Sequence, residues 1–322
     1  SQDENLINVD IGGGTTDVLL FTNRRPSHSS SFRFAGNDLW GDGFATVKTK
    51  KDNGLLQYGV DHVLRIPLTE EGREYRKFLE TAMDNPDFTS ADIIRLLFSY
   101  DKELNYSQQL LQARQLRLMF YLHFGALMYH LSQLVQQLDV KMPRYISFSG
   151  RGSLYIRLLS AGNNLSNVER YAKAIFQKVT GQEPPANFKL VLVDNPKQVT
   201  ANGGAMALDG ADLNDLTNIP IMKPTGSANP QDALTPVTKT QITGELRQEV
   251  MDNVMHCLQL LLDDPDIAPL MRSMGVEVDP MRVLDFMRTN LQDSYTMILE
   301  DTVRGLTDRE QLHETMFFMP LK

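Results

Sequence analysis

The chain has a single cysteine, Cys257, so it cannot close an internal disulfide. Disulfide-stapled secreted scaffolds are thereby excluded, and a reducing, cytoplasmic location is expected. No run of 18 apolar residues occurs, which excludes a hydrophobic membrane-spanning helix. Positive charge is the minority sign, with 32 Lys and Arg against 40 Asp and Glu and a net charge of -8. A nonspecific nucleic-acid surface needs a basic face, so nucleic acid is not an expected partner. No secretory signal pattern, internal repeat or low-complexity tract is visible. Tryptophan is scarce too, with Trp40 alone in 322 residues. Apolar residues are not scarce: at 42%, with 22% charged, the chain can bury a core, and its length suits about two domains.

Ready-made catalytic and metal sets are also missing. His123 and His130 are seven residues apart on one helical face, whereas zinc pairs sit closer, and no cysteine or acid completes a set. They read as core or surface residues. Ser149 and Ser153 lack the nucleophile-elbow pattern. Cys257 lies among apolar residues and reads as a packed thiol. The methionines of the C-terminal third, such as Met251, Met255, Met281 and Met287, read first as core packing and second as an adaptable partner surface.

Strands and helices alternate through the first two thirds, which is α/β in type. Leu6–Ile11 and Val18–Phe21 read as strands joined by a tight turn. The weak alternation of 30–34 suggests a third strand, and AGNDLWGDGF (35–44) reads as a loop entering a helix. Helical spacing marks 70–83 and 90–98, with Ser90 a plausible N-cap. The leucines of 109–139 give the strongest helical run, ending before Pro143. YISFSGRGSLYIRLL (145–159) reads as strand, glycine turn and helix. A helix ended by Gly181, a strand at 189–196 and a small-residue helix within 199–210 follow. Residues 220–240 hold four of the 15 prolines and read as a linker. Amphipathic helices over 243–264 and 280–301 lie beyond it.

The stretch with most to explain is DIGGGTTD (10–17), three glycines between two apolar runs with an acid at each end. Bare backbone lets another molecule approach closely, and successive N–H groups make a nest for phosphate. Thr15 and Thr16 add hydroxyls, and Asp10 at the strand end can hold a hydrated divalent cation. No lysine follows the glycines, so this is not a P-loop. No G-x-G-x-x-G opens a helix, so it is not the dinucleotide fingerprint.

DIGGGTTD resembles the second phosphate-binding motif of the actin, sugar-kinase and heat-shock-chaperone ATPase superfamily, closest to its chaperone-like and bacterial actin-like members. AGNDLWGDGF, SFSGRGSLYIRLL and VDNPKQVTANGGAMALDG resemble, in the family's order, the entry to the lobe's first helix, the adenosine motif and the lobe's last segment. The resemblance covers residues 5–210. It implies one lobe of the actin-like ATPase, or ribonuclease-H-like, fold over 1–210, with a small inserted subdomain at about 46–108. A linker over 211–240 and a helical extension over 241–322 complete the expected organisation. The implied ligands are ATP or ADP with Mg2+. Asp10 matches the metal-associated acid, and Gly12, Gly13 and Thr15 match the phosphate contacts. Gly14 and Thr16 line the same turn, and Asp17 is a turn-holder. Gly150, Gly152 and Ser153 match the adenosine turn, although Arg151 interrupts what is usually a glycine pair. The family's first lobe, which supplies the other phosphate hairpin and the acid that positions water, is not in this sequence. The chain starts at Ser1, not Met, and a fragment of a longer protein with an upstream lobe is expected. The activity implied is an ATPase needing that lobe, acting on a partner through the C-terminal helices. The alternatives are a scaffold with vestigial hydrolysis and a kinase of the same superfamily.

Overall fold

A computed structural model describes residues 5–40, 56, 60–61, 69–159, 164–193, 219–229, 234 and 236–322. The expected small-residue helix, Gly41–Phe44 and most of 46–68 lie outside them.

The N-terminal runs form β1 (Leu6–Ile11), β2 (Thr16–Thr22) and β3 (Arg25–Phe32), a meander with β1 and β3 both antiparallel to β2. β1 also pairs in parallel with β4 (Tyr145–Ser149), which pairs in parallel with β5 (Lys189–Leu192). The sheet is thus α/β in setting, five-stranded and mixed, in the order β3-β2-β1-β4-β5. Ile7, Val9 and Ile11 are buried on one face, which by the two-residue strand period places Asn8 and Asp10 on the other. β3 starts at Arg25, earlier than the alternation of 30–34 suggests. Asn23 and Arg24 turn the chain with φ of 52° and 68°, the left-handed backbone that two-residue hairpins favour.

The helices α1 (Gly36–Trp40), α2 (Glu70–Asp84), α3 (Ser90–Ser99), α4 (Asp101–Leu104), α5 (Tyr106–Gln112) and α6 (Arg114–Gln137) follow. Thr89, not Ser90, caps α3: its hydroxyl accepts from Asp92 N–H while Asp92 accepts from the Thr89 N–H, a closed capping box. The leucine run of 109–139 divides at Ala113, where ψ of 97° leaves the helical region.

Every residue of α6 from Phe120 to Val135 is buried, as in a helix covered on every side. Its Phe124 ring lies 5.9 Å from Phe148 of β4, and α7 (Ser166–Thr180) and α8 (Gly244–Asp263) flank it. The C-terminal helix α8 therefore braces α6. Tyr129 donates to Asn253 Oδ1 at 2.8 Å, and Gln133 exchanges hydrogen bonds with Asn253 at 2.9 and 3.2 Å. The proline-rich stretch, a linker by composition, is also packed over 219–229. Ser29 N–H donates to Pro220 at 2.9 Å, Met222 N–H donates back to Ser29 at 2.7 Å, and Asn253 holds Gly226 O at 2.8 Å. It covers an otherwise open sheet edge. α9 (Ala268–Ser273), α10 (Pro280–Val303) and a 3-10 turn over Met316–Leu321 close the chain. Phe318 of that turn stacks on Phe32 at 4.6 Å and on Phe34 at 4.3 Å. Among the described residues no helix is long and apolar enough to cross a membrane.

Candidate functional site

The β1–β2 turn is closed by Gly12 N–H on Thr15 O at 2.8 Å, which leaves Gly13 and Gly14 at its tip. Among the described residues no hydrogen bond uses the N–H of Gly13, Gly14 or Thr15, and all three residues are exposed. The turn's carbonyls are committed instead. Gly12 O accepts from Gly36 N–H at 3.1 Å and Gly13 O from Asn37 N–H at 2.7 Å, so α1 is docked on the turn.

The second turn reaches the same place. β4 delivers Gly150 beside the end of β1, and the 3-10 helix Arg151–Leu158 follows. Gly150 has φ of 77°, and a Cβ there would lie 2.2 Å from Ile11 O and 2.3 Å from Asp10 Oδ1. A Cβ on Gly152 would lie 2.3 Å from Gly12 O. Real Cβ atoms do not approach that closely, so both glycines are required by backbone contact between the two turns. Arg151, between them, is exposed. The Gly-Arg-Gly pattern thus keeps glycine where the turns touch and lets a cation stand at the position between.

Where the turns meet, a cavity of about 540 Å³ opens. Gly12 and Gly13 line one side, Arg151, Gly152 and Tyr155 another, and Asn37 and Trp40 the base from α1. α3 supplies the far wall with Asp92, Ile94, Arg95, Phe98 and Ser99. Arg95 Nη2 is ion-paired with Asp92 at 2.7 Å and stands exposed, so the lining carries two guanidiniums against one carboxylate. Trp40 is both core and cavity: 8% exposed, it packs edge-on against Phe98 and Phe120. Behind the wall, His123 Nδ1 is 2.8 Å from the Tyr155 hydroxyl and its ring stacks on Phe34 at 4.2 Å. Burial pushes the His123 imidazole down to about 3, so it is neutral and structural. His130 is likewise a core residue, and Cys257 is a fully buried thiol whose pKa burial raises.

Gly12, Gly13 and Gly152 line the cavity, Gly14 and Thr15 stand exposed at the turn, and Gly150 sits behind it. Two expected hydroxyls point elsewhere. Thr16 is 0% exposed and donates to Phe34 O at 2.6 Å. Ser153, also 0% exposed, donates to Gly150 O at 2.7 Å and closes its own turn. Both hydroxyls are spent on the scaffold.

Asp10 lies half-buried against Gly150 and pairs in register with Asp17 of β2. Like charges directly opposite on neighbouring strands repel, which a cation would relieve. The Asp17 carboxylate accepts from the hydroxyl of Ser31, its in-register neighbour on β3, at 2.6 Å, a cross-strand bond rather than one to the glycine turn. The described residues contain no group of three or more metal-ligating side chains. An ion here would therefore rest on Asp10, water and the ligand's own oxygens, the way Mg2+ is commonly held beside phosphates. On those terms the fit rests on Asp10 alone, which is not among the residues lining the cavity.

Asn37, Tyr155 and the α3 wall were not among the residues expected at the site. No family model matches this sequence, and a search of curated proteins returns no relative.

Proposed function

We propose that this chain is the nucleotide-binding second lobe of an actin-like or chaperone-like ATPase, taking ATP or ADP with Mg2+ and completed by an upstream lobe. The observation that carries the reading is the meeting of two glycine turns, far apart in sequence, at one cavity of about 540 Å³. That size lies in the ordinary range of small-molecule sites. The unused N–H groups of Gly13, Gly14 and Thr15 suit phosphate. Asp10 is the residue to hold the ion, and Mg2+ when bound supplies charge neutralisation. Arg95 and Arg151 add positive charge at the lining, and Trp40, Phe98 and Leu154 add apolar surface for a base. This chain contributes binding and orientation; the group that positions an attacking water belongs to the other lobe. A protein partner is proposed at the C-terminal helices, where Met281 and Phe286 of α10 are 63% and 64% exposed.

Thermal unfolding with and without millimolar Mg-ADP or Mg-ATP tests the reading. A site with Kd of about 0.1 mM stabilises the fold by roughly 1–2 kcal/mol at that concentration. The shift should vanish in Gly13→Val, whose side chain would enter the cavity beside Asn37 Oδ1, and shrink in Asp10→Ala. No shift in the wild type, or one that survives Gly13→Val, overturns the proposal.

One observation favours a second reading, a scaffold without hydrolysis: the Thr16 and Ser153 hydroxyls are spent internally, which thins the polar contacts left for a ligand. ATP turnover by the protein with its upstream lobe restored would dismiss it.

A further inference from the structure

The two guanidiniums at the cavity differ in how free they are. Arg95 Nη2 donates to Asp92 Oδ1 at 2.7 Å. Asp92 Oδ2 is fixed in turn by the Thr89 N–H at 3.0 Å and the Thr89 hydroxyl at 2.7 Å. A carboxylate anchored in the cap of α3 thus neutralises Arg95 on the far wall. Arg151 is exposed, and among the described residues no ion pair or hydrogen bond engages its side chain. Backbone contact fixes its place. A Cβ on Gly150 would lie 2.2 Å from Ile11 O, and one on Gly152 2.3 Å from Gly12 O. The residues on both sides of Arg151 are therefore pressed against the end of β1 and the start of the glycine turn, and Arg151 lines the cavity with Gly12 and Gly13. The unused N–H groups of Gly13, Gly14 and Thr15 belong to that same turn. An anion seated on them meets in Arg151 a cation with no carboxylate of its own. The other groups expected to serve an anion are less well placed. The Thr16 and Ser153 hydroxyls are spent on Phe34 O and Gly150 O. Asp10 does not line the cavity, and the described residues hold no group of three metal-ligating side chains, so a divalent ion would rest on one carboxylate set back from the lining.

We propose that Arg151 is the cation that neutralises the bound phosphates, so that this lobe takes a nucleoside diphosphate without requiring a divalent ion. The proposal rests on the nucleotide reading of the cavity and names the group within it that pairs the phosphates. A guanidinium meets phosphate through two parallel N–H···O bonds and stays charged at any working pH. A divalent ion at Asp10 then adds to binding but is not its condition. Three roles for Arg151 make different demands. A phosphate partner matters to any ligand that carries phosphates, with or without a base. A guanidinium stacked on the base matters to the nucleotide and not to inorganic pyrophosphate. A solvated side chain matters to neither.

The experiment titrates ADP into wild type, Arg151→Gln and Arg151→Lys, each in excess Mg2+ and again in excess EDTA. Binding is read by the emission of Trp40, the sole tryptophan, which lines the cavity. Inorganic pyrophosphate, which offers phosphates and no base, is then used to displace ADP in EDTA. Chelation is expected to weaken ADP in the wild type by no more than about threefold. Arg151→Gln should weaken it about tenfold, and further once Mg2+ is removed, as loss of a charge-assisted hydrogen-bonded partner implies. Pyrophosphate should lose affinity by the same factor as ADP. Arg151→Lys should fall between the two, since it keeps the charge and not the planar fork. Because Arg151 is exposed, the unliganded variants should unfold at the wild-type midpoint, which separates an effect on the site from one on the fold. Wild-type ADP binding that disappears in EDTA overturns the proposal and leaves the nucleotide site standing. So does an Arg151→Gln variant that binds ADP as tightly as wild type. A loss confined to ADP, with pyrophosphate unmoved, overturns it too and assigns Arg151 to the base. A wild type that binds ADP in neither Mg2+ nor EDTA overturns the nucleotide reading and this proposal with it.

Discussion

His130 is 2% exposed, yet among the described residues neither of its ring nitrogens has a hydrogen-bond partner. Phe32, Phe317 and Phe318 surround it with ring centroids at 5.3, 5.4 and 4.8 Å. A buried polar group left unpaired costs about 1–3 kcal/mol, and a phenyl ring suits the same aromatic surroundings. His130→Phe is therefore expected to raise the unfolding free energy by about 1 kcal/mol after some loss to overpacking. It should also change the response to acid. Burial lowers His123 and His130 from 6.5 to about 3. The unfolded chain takes up those protons first, so the stability tied to the neutral imidazoles is whole above pH 6.5 and drains as pH falls toward 3. Asp38 opposes this. Burial raises its carboxyl from 3.8 to about 6, so its share is whole below pH 3.8 and is lost as pH rises through about 6. Two imidazoles outweigh one carboxyl, and stability should climb with pH across that window. Urea midpoints between about pH 4 and pH 7 should show the slope in wild type and a flatter one in His130→Phe; an unchanged slope refutes the assignment. At this scale the glycine turn was legible in the sequence, because only bare backbone explains three glycines between two strands. The direction of Thr16 was legible too: it shares strand parity with Val18 and Leu20, the buried set of β2. Asn37, Arg95 and Tyr155 were not legible as neighbours, because only the tertiary fold brings them to one cavity.

Gly125 sits in the middle of α6, where propensity alone asks for alanine. Replacing a helical glycine with alanine is worth about 0.5–1 kcal/mol in backbone entropy. Here, though, a Cβ would lie 2.7 Å from both Leu261 Cδ1 and Tyr171 OH. Leu261 and Tyr171 are themselves 0% exposed, so neither has open space to retreat into. Overpacking a closed core costs about 1–3 kcal/mol, which exceeds the entropy gain. Gly125→Ala should thus lower stability by about 1–2 kcal/mol, measured as a reduced urea midpoint at constant m; a stabilised variant would mean that α8 packs less closely than described. α6 itself was readable from its leucine periodicity. Its separation from α5 was not, because the periodicity runs across the break and Ala113 is a strong helix former that gives no stop signal. Just past the break, the Arg117 guanidinium donates to Met274 O at the end of α9, a nonlocal contact that periodicity does not reveal. The packing of the proline-rich stretch is likewise nonlocal. Composition marks it as irregular, and irregular backbone becomes ordered when a distant strand edge such as Ser29 accepts and donates to it.

The largest structural unit is set by continuity of the core, and that continuity crosses the boundary the sequence suggested at about 240. Val250, Val254, Cys257, Leu258 and Leu261 of α8 are all 0% exposed. Phe317 and Phe318 are as deeply buried, against Phe32 of β3, Phe34 after it and His130 of α6. A chain cut after residue 240 would open the outer face of α6 and the aromatic cluster behind β3 together. Each large apolar side chain so exposed forfeits about 1.5–3 kcal/mol. The side chains so uncovered include Phe32, Phe34 and Tyr129, which stack on Phe317 and Phe318; these three alone forfeit about 5–9 kcal/mol, a large share of the stability of an ordinary domain, about 5–15 kcal/mol. The buried amides Gln133 and Asn253 would lose each other as well. Residues 1–240 alone are therefore expected to lack a cooperative thermal transition and to bind a hydrophobic dye such as ANS, as expanded states with loosened packing do. A sharp melt with fixed aromatic circular dichroism in that fragment would show instead that the helices after 240 are a separable domain. The same comparison bears on the site. Phe34, two residues before α1, stacks on Phe318 at 4.3 Å, so a fragment without the C-terminal segment should lose any stabilisation by Mg-ADP even if some sheet structure persists.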